Sequence, residues 1–239
     1  MIQMSTQSIS WPVVEHSKLF HVGQFNPALK GATHNAMSLE GNGLSVSLQP
    51  EAWRHIAKLG DDPTWCLKTA AASNFLDVHA LTATHWKQAI DWAVAEGLLR
   101  PTKVMVVSWY DEDRGVTSYM EFDANDAMSS AAAESEFQAC EQPDPKLETK
   151  DGFAATDKLV ARMGFEIDVS LARHLALTVY IEDVLFEQAG LHGAWWEDET
   201  NELELSAPRG VIHDKALSLW NKELTARAMP ERRSSARPR

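Results

Sequence analysis

The residues best equipped for electrostatic or acid–base work lie in Gly193–Ile212, GAWWEDETNELELSAPRGVI. Two tryptophans lead into a carboxylate cluster and then into an alternating Glu-Leu-Glu-Leu. Strand periodicity puts Glu202 and Glu204 on one face and Leu203 and Leu205 on the other. Glutamate is seldom fully buried unless paired, so a solvated acidic face over a leucine core is the simplest reading. A chemical role would need a cleft on the glutamate side, which Trp195 or Trp196 could wall. Alternation stops at Ser-Ala-Pro-Arg-Gly, and the whole segment reads as two strands.

Other reactive side chains are scattered. His21 stands at the end of a short apolar run beside Gly23, and Ser45 and Ser47 share one face of another. No GxSxG elbow surrounds either serine, and no HExxH holds His79 or His85. Asp111, Glu112 and Asp113 read as a solvated turn, Glu121 as a second-choice carboxylate, and His174 as packing or surface.

These residues sit in a chain of 239 residues, 44% of them hydrophobic, enough for one sizeable core. The formal net charge of -12 opposes general nucleic-acid binding and docking on an anionic membrane. Cys66 and Cys140 lack CxxC spacing, so neither a zinc site nor a disulfide framework is expected. MIQMSTQSIS has no signal-like apolar core, and the expected location is cytoplasmic, in the encoding cell or in a host cell. The phosphate-binding loops GxGxxG and GxxxxGK[ST] are absent.

The elements read as follows. Strands are expected at 18–25 and 43–47, and a helix over 50–60 opened by Pro50 and stopped by Gly60. A strand is expected within 61–69, and a helix in the second half of 76–99, with Thr84 as its cap. KVMVVSWY and VTSYMEFDA flank DEDRG as a hairpin. Residues 125–157 read as a mobile acidic excursion, 168–190 as one amphipathic helix capped by Ser170 and ended by Gly190, and 229–239 as a disordered basic tail. The fold class is α+β, one domain over 1–228.

Three segments, taken in order, resemble the ADP-ribosyltransferase superfamily in its branch with a His-Tyr-Glu triad. LFHVG (19–23) is similar to the strand that carries histidine before glycine. GLSVSLQPEAW (43–53) looks like the glycine-led second strand and the helix after it. NELELSAPRGVI (201–212) resembles an Asn-Glu-led strand ending in a turn and an aliphatic pair, entered by GLHGAWWED as in bacterial and phage members. Ser45 stands where the branch often has an aromatic residue, and Trp53 stands in for the tyrosine.

The resemblance implies a split β-sheet core and NAD as co-substrate. It assigns Glu202 to stabilise positive charge on the ribose as nicotinamide departs. His21 would bind a ribose hydroxyl, and the backbone of Val22 and Gly23 would meet the neighbouring part of the dinucleotide. Ser45 and Ser47 would support the pocket wall, and Trp53 would stack on nicotinamide. The implied activity is mono-ADP-ribosylation of a macromolecular acceptor, a protein or a nucleic acid, as in a toxin, effector or phage-encoded modifier. An NAD glycohydrolase, and a non-enzymatic protein-binding inhibitor on the same scaffold, are the alternatives.

Overall fold

A computed structural model describes residues 10–24, 43–112, 115–200 and 205–225; side chains are described for all of these except 197–200 and 205–207. Nine strands and six α-helices are present among them. The order is β1 (Val13–Val22), β2 (Leu44–Ser47), α1 (Pro50–Ile56), β3 (Thr64–Asp77), α2 (Ala83–Ala95), β4 (Leu99–Asp111) and β5 (Val116–Asp123). Then follow α3 (Ala127–Ala139), β6 (Lys146–Ala155), α4 (Asp157–Met163), α5 (Val169–Tyr180), α6 (Phe186–Ala189), β7 (Leu191–Thr200), β8 (Leu205–Ile212) and β9 (Asn221–Leu224). A π-helical segment, Ile181–Leu185, joins α5 to α6, and a 3-10 helix spans Asp214–Leu219.

The larger sheet closes on itself. β1 pairs with both β2 and β3, β2 with β8, β8 with β7, and β7 with β3; β9 adds to β3 from outside. Every contact in this ring is antiparallel except β3–β7. A parallel pair needs a long crossover. Here the crossover carries the second sheet, a three-stranded antiparallel meander ordered β5-β4-β6, with α2 to α5 around it. The architecture is thus mixed α+β.

Strand alternation fills the ring. Leu19, Val46, Leu67, Phe75, Trp195 and Ile212 point inward and form one buried cluster, completed by Ala216 and Trp220. On the outside, Leu76, Ala194 and Val211 pack against Leu177, Tyr180 and Ile181 of the α5 region. α5 is buried around most of its circumference from Leu175 to Tyr180, which makes it the central helix. Its other side meets Ala93 of α2 and Leu159 and Met163 of α4.

Several expectations need correction. Residues 125–157 are not an excursion: they hold α3 and the edge strand β6. α3 has no apolar stripe to announce it, and Ala133 is its one buried residue. Thr82, rather than Thr84, precedes α2, and the His85 ring accepts its backbone N–H at 3.0 Å. Asp168, rather than Ser170, precedes α5. Ser206–Gly210, where the resemblance implied a turn, lies in strand, paired through β8 with β7, and from Arg209 onward with β2 as well. Pro208 is tolerated because only its carbonyl is asked to bond. That oxygen accepts from Leu48 N at 3.2 Å and Ser47 Oγ at 2.8 Å. Gly210 is required by crowding: a Cβ there would lie 2.4 Å from both the Ala194 carbonyl and the Trp195 ring.

Candidate functional site

β1 ends in His21, Val22 and Gly23, beside β2. His21 Nδ1 lies 2.8 Å from the Ser45 carbonyl. A carbonyl can only accept, so Nδ1 carries a proton. His85 has the opposite tautomer, because its Nδ1 accepts from Thr82 N while its Nε2 faces the Ser10 carbonyl at 3.1 Å. Gly23 completes the His21 corner. Its φ of +137° suits glycine, and an added Cβ would sit 3.2 Å from His21 Nε2. The Gly23 carbonyl accepts from Trp65 Nε1 at 3.1 Å, which anchors the turn.

The other expected residues separate into different environments. Ser45 and Ser47 do share a face, but His21 alternates with Leu19 toward the opposite, inner face. Ser47 is fully buried; its hydroxyl donates to Pro208 O and accepts from Gln49 N at 3.0 Å, fixing the turn into α1. Val22 packs on Trp53 on the outer face. Trp53 is only 8% exposed, and the Arg209 guanidinium stands 4.1 Å from its ring centroid. That face of the indole is therefore taken by the guanidinium. Glu202 and Glu204 lie outside the described residues. The strands that flank them are paired up to Thr200 and Leu205.

Arg209 was not foreseen. It is 1% exposed and lies over two indoles, Trp53 at 4.1 Å and Trp196 at 4.9 Å from the ring centroids. Guanidinium is planar and weakly hydrated, which suits it to two aromatic faces at once. Residue type pointed outward, and no periodicity within SAPRG marked the position. The two tryptophans, read from sequence as mainly structural, are both buried. Trp195 fills the ring, while Trp196 packs on the α5 side and also faces Arg209.

A second polar assembly lies beyond the other end of β8. Glu182, 8% exposed, projects from the π-helical segment. Its carboxylate meets Arg162 at 2.9 Å and the buried His213 Nδ1 at 3.2 Å. Asp183 binds the same guanidinium through both oxygens, at 2.5 and 2.9 Å, and Lys215 at 3.3 Å. Burial alone would push the Glu182 carboxyl up, but His213 and Arg162 outweigh it and hold it below its ordinary value. Asp183 is likewise held low, chiefly by Arg162, whose own pKa is raised. A sequence signal existed: Glu182 falls three residues after Val179 and seven after Leu175, on the buried stripe of the helix.

His16, His174 and His192 serve packing, against Trp195, Trp86 and Phe186 respectively, and burial lowers the pKa of each. Glu121 is taken by Arg173 at 2.9 Å. Among the described residues no group of three or more His, Cys, Asp or Glu side chains is placed to hold a metal ion, and no helix is long and apolar enough to cross a membrane. No family model, curated protein or solved structure matches the chain.

Proposed function

We propose that the chain is an NAD-consuming ADP-ribosyl-transfer enzyme whose site lies at the His21 end of the ring. The observation that carries the reading is the His21–Ser45 bond beside Gly23. It fixes the orientation of the imidazole and puts a proton on Nδ1, and in its neutral form such a ring accepts a hydrogen bond from a ribose hydroxyl at Nε2. The order of LFHVG, GLSVS and NELEL along the chain supports it.

The chemistry follows from the residues. The bond between nicotinamide and ribose breaks with its electron pair leaving on nicotinamide, and positive charge develops on the sugar. A Glu202 carboxylate near that sugar stabilises the charge. The acceptor nucleophile then bonds to the anomeric carbon and loses its proton. His21 orients the ribose, while Trp53 serves the fold around it instead of touching the departing ring.

The test is incubation of the full chain with labelled NAD and cell lysate. Expected are nicotinamide release and a labelled macromolecule, with kcat at least about tenfold lower in Glu202→Gln at similar NAD affinity. Free ADP-ribose as sole product assigns the glycohydrolase variant. Absence of nicotinamide release from the folded protein, together with no NAD-induced thermal shift, discards the enzymatic reading.

A further inference from the structure

We propose that Arg209 is a positioning residue, its stacked guanidinium locking α1 to the β7–β8 hairpin and so setting where that hairpin stands relative to His21. The kinetic consequence rests on the ADP-ribosyl-transfer reading; the lock itself rests on the stack alone.

Three adjacent strands place Ser47, Arg209 and Trp196 in register. Directly opposed residues of an antiparallel ladder share a face. Helix α1 lays Trp53 over this row, so the guanidinium meets one ring from the helix and one from the hairpin. The height of this lock on the hairpin matters. The β2–β8 ladder ends at Ser47–Arg209, whereas β7 and β8 continue together from Glu197–Pro208 to Thr200–Leu205. Past Pro208, whose carbonyl accepts from Leu48 N and Ser47 Oγ, no third strand pairs with the hairpin among the described residues. A two-stranded ribbon is marginal alone, so its direction is decided at its last supported rungs, Arg209 and Pro208. The three residue steps from Pro208 to Leu205 form an arm of about 10 Å at roughly 3.4 Å per residue. A tilt at the lock is carried along that arm. NAD contacts assigned to β1 and Gly23 do not touch Arg209, so loosening it would misplace the hairpin without emptying the His21 corner.

The experiment compares full-length wild type, Arg209→Lys and Arg209→Met by amide hydrogen exchange. The peptides cover Trp195–Thr200, Leu205–Arg209 and Pro50–Ile56, with β4 and β5 as internal references. The lock requires at least about tenfold faster exchange in the first three regions and none in the references. It also requires kcat at least about tenfold lower with KM for NAD within about threefold, because only transition-state alignment is lost. Should Arg209→Met fail to fold, Arg209→Lys alone decides, since it keeps the charge and loses the planar stack. Unchanged exchange at the hairpin and α1 overturns the proposal, as does a KM increase that accounts for the whole loss of kcat/KM. Wild type without turnover discards the enzymatic reading and the kinetic consequence, and the exchange result still decides the lock.

Discussion

Two arginines in this fold meet different partners among the described residues. Arg209 stands against indoles, 4.1 Å from the Trp53 centroid and 4.9 Å from that of Trp196. Arg162 is immobilised by carboxylates, Asp183 through a two-bond fork and Glu182 through one further bond. The first arrangement borrows the ring quadrupole and the close packing of a buried site. The second depends on ionised groups whose pKa values are displaced by it. The difference teaches where the molecule responds to solution conditions. The acid response is expected where carboxylates are held below their ordinary values, at Glu182 and Asp183.

Three experiments sharpen this contrast. The largest effect is expected from Arg209→Ala, which empties a buried site and deletes both stacking contacts. It should lower stability by about 4 kcal/mol in denaturant titration, and a loss under about 1 kcal/mol would break the claim that the stack holds α1 in place.

The intermediate effect is pH dependence. Glu182 and Asp183 have folded pKa values below their ordinary ones. Their stabilisation is therefore present above the ordinary carboxylate range and is lost as pH falls through it toward the depressed values. Glu182→Gln should cost about 2 kcal/mol at pH 7, and its gap from wild type should narrow below about pH 4.5. A gap for Glu182→Gln that stays constant from pH 7 to 3 would remove the network as the source of acid sensitivity.

The smallest effect belongs to an exposed pair. Lys103 meets Asp151 at 2.7 Å with both side chains largely in water. Lys103→Ala should change stability by under about 0.5 kcal/mol, since exposed pairs are screened. A larger change would show that proximity of charge, rather than burial, governs both arginine sites.

Local elements were legible where short-range rules act. Pro50 opens α1, as its fixed φ allows. Gly190 ends the helical run in a left-handed conformation. The DEDRG segment joins β4 to β5 around Gly115 at φ +66°. α3 was illegible because alanine and serine carry no stripe, and only sheet contact gives that helix a buried side. Much of the candidate site was legible by type alone. His21 and Gly23 do share a corner, while Trp53, Ser47 and Val22 were named for a pocket and are occupied by packing and backbone bonds.

The sequence by itself determined the α+β class, the ends of several elements and the glycine beside His21. Each follows from backbone sterics or from periodicity within a few residues. Only the tertiary structure decided that the sheet closes, that His21 is protonated on Nδ1, that Pro208 sits inside a strand and that Arg209 is buried. The reason is common to all four. Each depends on a partner brought from far along the chain: β3 or β2 for β1, the Ser45 carbonyl for His21, the Ser47 hydroxyl for Pro208, and Trp53 for Arg209. A residue's own type states what it can bond, and the fold supplies what it meets.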